Sequence, residues 1–176
     1  SKGAQMRPFP RRILQVLAAM LALSGVAGAA DAEGEPRLKL SVHVYGFSYH
    51  PDREGVRRNG VNNELNLGIG LNYTLREDEH SVRFLEAGLY RDSGKNLAKV
   101  AGLGYQFKFG RHWRLGGALV GVHSETYNEG GFFIAPLPIA TVDFGPVKFN
   151  AIYVPRYRRY NEFAVFGFYF SVPLAR

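Results

Sequence analysis

The sequence predicts an all-β protein, an eight-stranded antiparallel transmembrane β-barrel of the outer membrane. Three observations predict it: an export signal near the start, short stretches that alternate apolar and polar from about residue 38 onward, and polar turns between them. The clearest stretch is Asn63 to Tyr73. There Leu65, Leu67, Ile69, Leu71 and Tyr73 share one face, and Glu64, Asn66, Gly68, Gly70 and Asn72 share the other. One face suits lipid and the other a polar interior. A soluble β-sandwich has the same period of two, so the position behind an export signal decides the reading.

The signal runs from Met6: a basic start (Arg7, Arg11, Arg12), an apolar run from Ile13 to Val26, then Ala27, Gly28, Ala29 and Ala30. The run is about fourteen residues, short of the roughly 20 that a spanning helix needs, and it ends in small residues with no basic stop-transfer segment. Cleavage is expected after Ala29 or Ala32. Residues 1–30 are set apart as signal and start region, and residues 31–176 form one barrel domain.

The alternation places strands at about 38–50, 62–75, 81–92, 97–109, 113–124, 133–143, 146–154 and 161–173. Each is roughly long enough to cross a bilayer when tilted, which takes about 9–11 residues. In the first, Leu38, Leu40, Val42 and Val44 form the apolar face, so His43 points into the lumen with Ser41 and Tyr45. The second is the stretch described above, and the third ends at Asp92-Ser93. In the fourth, Gly102, Gly104, Gln106 and Lys108 face inward beneath an outward row of Leu97, Ala101, Leu103, Tyr105, Phe107 and Phe109. Inward Gly102 and Gly104 leave room for a slender chain, or serve barrel curvature. The fifth strand opens on Trp113 and ends at His123-Ser124. The sixth holds Pro136 and Pro138, which cannot donate to a ladder and mark a bulge or a gap toward a neighbour. Tyr73 and Trp113, with Tyr153 of the seventh strand and Tyr169 of the eighth, are expected in outward interfacial girdles. The connectors at 76–80, 110–112 and 144–146 are short and suit the periplasmic side. Those at 51–61, 125–132 and 155–160 are longer and suit the outside, with 93–96 the short exception.

The chain carries 22 basic and 15 acidic residues, a net +7. Four of the basic residues precede residue 30 while every acidic one follows it, so residues 31–176 keep 18 basic against 15 acidic, a net +3. That is no nucleic-acid footprint. The basic residues gather in loops (Arg53, Arg57, Arg58; Arg156, Arg158, Arg159), where they serve as solvated charge or as a hold on lipid phosphates. Cysteine is absent, which excludes disulfides and thiolate chemistry. No His, Asp and Glu spacing recommends a metal site, and no cofactor is expected.

His50 and the Asp92-Ser93 pair reach the same outer rim. These are the residue types that acyl transfer needs: an imidazole to take a hydroxyl proton, a carboxylate to orient it or stabilise its charge, and a serine as nucleophile or hydroxyl donor. Loop residues of these types are also commonly just solvated. His43 competes with His50 for the role of base, but its place in the lumen below the rim suits an interior hydrogen-bonding group. His123-Ser124 is a weaker pair because adjacent strand residues point to opposite faces. His80 and His112 fall in inner turns.

The run PLPIATVDFGPVKFNAIYVP (Pro136 to Pro155), the segment YRDSGK and the following AGLGY resemble the outer-membrane lipid A palmitoyltransferase (PagP) family over about residues 47–172. The resemblance implies His50, Asp92 and Ser93 as catalytic positions, with His43 the alternative histidine, and Gly104 as the floor of an acyl-measuring pocket. It implies transfer of a palmitoyl or similar chain from a phospholipid donor to lipid A of lipopolysaccharide, by a barrel expected to be monomeric, at the cell-surface side of a Gram-negative outer membrane. The chain departs from the family before the first strand, where residues 31–38 are too short for the family's amphipathic helix. A non-enzymatic barrel (structural, adhesin or pore) and a lipid A deacylase or phospholipase are the alternatives.

Overall fold

The structure is a computed structural model that describes residues 40–157 and 160–174. The predicted export signal, Arg158 and Arg159 lie outside the described residues. Eight antiparallel strands close into a barrel in simple sequence order: β1 (Leu40–Tyr49), β2 (Leu65–Glu77), β3 (Ser81–Arg91), β4 (Leu97–Phe109), β5 (Trp113–His123), β6 (Phe133–Phe144), β7 (Val147–Val154) and β8 (Val165–Pro173). The first and last strands close the ring, with Ser41 opposite Pro173 and Tyr49 opposite Phe166. Closure of the ring gives every strand a neighbour on both sides, which an open sheet denies its two edge strands.

Connectors at 78–80, 110–112 and 145–146 make one short-turn end, and those at 50–64, 92–96, 124–132 and 155–164 make the long-loop end. The first long loop contains a helix the periodicity did not predict, α1 (Arg53–Arg58). Asp52 caps it by accepting from the Gly55 N–H at 2.8 Å, and Arg57 and Arg58 lie in its last turn, where they complement the helix dipole.

Alternation sets the two faces of the wall. Every strand presents apolar side chains outward: Leu67, Ile69 and Leu71 of β2 are 49%, 61% and 49% exposed, and Leu103, Leu115, Leu119, Ile134 and Phe166 are exposed likewise. Tyr73, Trp113 and Tyr153 face outward as expected. Tyr169 does not. It lies inside at 5% exposure, because Phe166, Phe168 and Phe170 of β8 take the outward phase and Val165, Gly167, Tyr169 and Ser171 take the inward one.

The interior is zoned. Toward the short-turn end it is polar: Gln106 donates to Thr141 (2.8 Å), Thr141 to Asn150 (2.8 Å) and Asn150 to Ser171 (2.7 Å), while Arg114 pairs with Asp143 (2.9 Å) and Lys108 with Glu77 (2.7 Å). Each side chain from Gln106 to Ser171 in this chain of bonds meets a partner, which offsets the cost of its desolvation. Toward the long-loop end, Val120, Val122, Phe133, Ala135, Leu137 and Ile139 make an apolar core.

Inward glycines are sockets for large neighbours. A Cβ on Gly88 would lie 2.4 Å from the Tyr45 hydroxyl, and one on Gly70 2.9 Å from it, so the phenol occupies the volume that both glycines leave. The same holds for Gly104, where a Cβ would sit 2.1 Å from the Phe84 ring.

The ladder between β6 and β7 is short. It runs from Ile139 opposite Ile152 to Phe144 opposite Val147, and Phe133–Pro138 of β6 have no partner on β7. Pro136 and Pro138 are alternate residues and so face one edge, where neither has an N–H to give. The result is a gap in the wall toward the long-loop end, the second of the two outcomes the prolines allowed.

Candidate active site

His50 follows β1 directly, and its inward direction depends on one residue. Along Ser41, His43 and Tyr45 the odd positions face the lumen, which would send His50 outward. A bulge between Tyr45 and Phe47, at Gly46, adds a residue and reverses the phase. Ser48 and His50 then point inward, and His50 is 2% exposed.

Ser93 stands in the turn that joins β3 to β4. Lys95 N–H donates to the Asp92 carbonyl at 3.0 Å, Asp92 N–H donates to the Asn96 carbonyl at 2.9 Å, and Lys95 takes the left-handed conformation (φ 68°) that the turn requires. Asn63 ties the turn to the first loop: its N–H donates to the Ser93 carbonyl at 3.0 Å and its side chain to the Asp92 carbonyl at 2.8 Å. So held, Ser93 Oγ lies 3.1 Å from His50 Nε2, both residues being buried. That is the separation of a nucleophile and its base.

Asp92 takes a different place from the one expected. Its Oδ1 accepts from Gly94 N–H (2.9 Å), Asn96 N–H (3.0 Å) and Thr126 Oγ1 (2.8 Å), and its Oδ2 accepts from Ser124 Oγ. The expectation that Asp92 orients the imidazole is therefore corrected. Both carboxylate oxygens are committed to the turn and to the β5–β6 loop, and His50 Nδ1 is buried without a protein hydrogen-bond partner. Asp92 acts on the site by fixing the turn that presents Ser93. The burial of His50 holds its imidazole below the ordinary range; Glu64 opposes that shift and Arg53 adds to it. A neutral imidazole, ready to accept a proton, is the consequence.

Ser124, Thr126 and Tyr127 were not singled out for this role by the sequence. Ser124 and its chain neighbour His123 diverge, as adjacent strand residues do: Ser124 is fully buried against Asp92 while His123 lies on the outer wall. The Tyr127 phenol lies against Ser93, and burial together with the Asp92 carboxylate pushes it up to about 12, so it stays protonated. The signal was present in the spacing of hydroxyls along HSETYN at the correct rim, but a loop has no period from which to read direction.

Beneath Ser93 an internal cavity descends through the apolar zone. Val100, Val120, Leu137, Ile152 and Val154 line its walls, and Tyr45, Glu86 and Tyr169 close its deep end. Gly102 and Gly104 were expected to line it, and neither does. Val120 and the Leu119 backbone pack against Gly102, and the Phe84 ring covers Gly104. The wall gap opens beside the cavity, between Leu137 and Val154. Above, an outer chamber has His50 and Ser93 at its base and Glu125, Glu129 and Glu162 among its walls. His43 lies inside near the deep end, 3.7 Å from Glu86 and far along β1 from the rim. Among the described residues no cluster of His, Asp and Glu is arranged to hold a metal ion. Compared with known proteins, the chain matches no family model and no curated sequence.

Proposed function

We propose that this barrel is an outer-membrane acyltransferase that moves a palmitoyl or similar chain from a phospholipid to lipid A of lipopolysaccharide. The observation that carries the reading is an apolar cavity that ends at a buried histidine–serine pair. An apolar outer wall of this extent fits hydrocarbon surroundings, since a soluble monomer exposes patches of only a few hundred Å². The long-loop end then faces the cell surface.

The donor's acyl chain lies in the upper cavity with its ester at Ser93, reached through the gap between β6 and β7. Ser93 borders both the cavity and the outer chamber, so donor and acceptor meet there. As Ser93 Oγ attacks the ester carbonyl, His50 Nε2 takes its proton. The bond to the lysophospholipid oxygen breaks, and that oxygen leaves with the proton from the imidazolium. A lipid A hydroxyl then gives its proton to His50 Nε2 and attacks the acyl-serine; as the acyl–Oγ bond breaks, the imidazolium returns that proton to Ser93 Oγ, and both residues are restored for the next turnover. The resemblance to lipid A palmitoyltransferases supports the choice of substrates. Thin-layer analysis with labelled phospholipid and lipopolysaccharide tests it: acylated lipid A is expected, whereas free fatty acid alone or no product would refute it.

Chain length follows from the deep end of the cavity. Each methylene adds about 0.8 kcal/mol of burial, roughly fourfold in binding, until the chain meets Tyr45, Glu86 and Tyr169. Gly104 enters through Phe84, which packs in the same apolar core as the cavity residues Leu137 and Ile139: a side chain at Gly104 must displace the ring into that core. Mass spectrometry of lipid A is therefore expected to show shorter chains with Gly104→Met. Tyr45→Ala, which vacates the hollow over Gly70 and Gly88, is expected to lengthen them. An unchanged length in both variants would place the limit elsewhere.

A further inference from the structure

Arg91, Lys99 and His123 stand on the outer wall near the long-loop end, away from the cavity. Lys99 of β4 lies opposite His123 of β5 on one side and Leu89 of β3 on the other. Arg91 is one step above, opposite Leu97. Their chain neighbours Tyr90, Val100 and Val122 line the cavity and Ala98 is fully buried, so the three basic side chains project outward. Facing residues have Cβ atoms about 4.5–5.5 Å apart and diagonal ones about 7–8 Å, which puts all three within reach of one small anion.

Among the described residues no ion pair neutralises this patch. The ion pairs among the described residues engage Arg53, Arg76, Lys108, Arg114 and His43, and none engages Arg91, Lys95 or Lys99. Arg91 Nε donates to the Lys95 carbonyl at 3.1 Å, which steers the guanidinium while leaving its other N–H groups available. Basic groups set side by side on a strand pair repel, so the arrangement is at its most stable with an anion among them. Leu89 stands beside Lys99, and below them the wall returns to Leu85, Leu103 and Leu119. The patch thus marks the level where an acyl-facing surface gives way to charged headgroups.

We propose that Arg91, Lys99 and His123 bind a phosphate of a lipid A molecule that stands against the outside of β3–β5 as a neighbour and not as substrate. The inference rests on the outer-membrane reading, in which lipid A fills the leaflet at the long-loop end. Arg supplies a planar fork matched to phosphate oxygens, Lys a point charge, and the imidazole an N–H. A phosphomonoester, with more than one negative charge, fits three clustered donors better than the single charge of a phospholipid diester. The acyl chains of the same molecule would lie on the leucines beneath.

The test counts lipids that remain on the refolded barrel in neutral detergent by native mass spectrometry. Its probes are bisphosphorylated lipid A, dephosphorylated lipid A and phosphatidylglycerol, with no acyl donor present. Wild type is expected to retain bisphosphorylated lipid A at least about tenfold more tightly than a variant combining R91Q, K99Q and H123Q, the loss of one charge-assisted bond being worth that much. Dephosphorylated lipid A should bind both proteins alike. R83Q removes a wall cation at the other end, where Arg83 lies 5.7 Å over the Tyr105 ring, and should change nothing. Equal retention by wild type and the triple variant, an equal loss in R83Q, or equal competition by phosphatidylglycerol would overturn the proposal. A barrel that retains lipid A but transfers no chain when donor is supplied would refute the transferase reading and leave this site standing.

Discussion

His50→Ala is expected to lower acyl transfer by about 10²–10⁴-fold, the usual contribution of a general base, while the barrel still folds. Its Nε2, 3.1 Å from Ser93 Oγ, is the proposed proton acceptor, and no other imidazole approaches that hydroxyl among the described residues. His43→Ala is expected to spare the transfer step, since His43 lies beside Glu86 in the interior. The reverse outcome would move the chemistry to the lumen. The pH profile adds a signature. The imidazole must be neutral to accept a proton, and its burial holds it below the ordinary histidine value near 6.5. The acid limb of kcat/KM should therefore fall below pH 6.5 and vanish in His50→Ala. A limb above 6.5 would contradict the burial of His50 as its cause.

Asp92→Ala is expected to lower transfer by 10²-fold or more, because the turn that carries Ser93 loses four accepted hydrogen bonds at once. A displacement of about 1 Å in a reacting group costs roughly that much. Asp92→Asn separates position from charge. An amide oxygen still accepts from Gly94, Asn96 and Thr126, and Ser124 can turn its hydroxyl to accept from the amide nitrogen. The charges that act on His50 come from Glu64 and Arg53. Asp92→Asn should therefore retain transfer within about tenfold, the effect of one weakened hydrogen bond. Should Asp92→Asn lose as much as Asp92→Ala, the carboxylate's charge, and not its geometry, would be what the reaction needs.

The strands were legible because each wall residue meets either the lumen or the outside, and a period of two is written directly into the chain. All eight strands lie within a few residues of where that period places them. The rim was legible by level only. His50, Asp92 and Ser93 reach one end by counting strands, but the inward turn of His50 comes from the bulge at Gly46, which pure alternation reads with the wrong phase. A glycine inside a strand is the available signal for such a bulge. The role of Asp92 was not legible, because it depends on Ser124 and Thr126, about thirty residues along the chain. Gly104 shows the converse limit. Its inward direction follows from period, but the ring that fills its space belongs to Phe84 of the preceding strand, and register alone tells which residue that is.

The closing seam between β1 and β8 has a bearing on when the protein becomes active. The segment that delivers His50 is clasped by the final strand, with Tyr49 set against Phe166. A half-made or unzipped chain carries Ser93 on its own hairpin but lacks a fixed base beside it. Under the proposed reading, ring completion is thus the event that arms the enzyme, and immature copies on their way to the membrane would stay chemically silent.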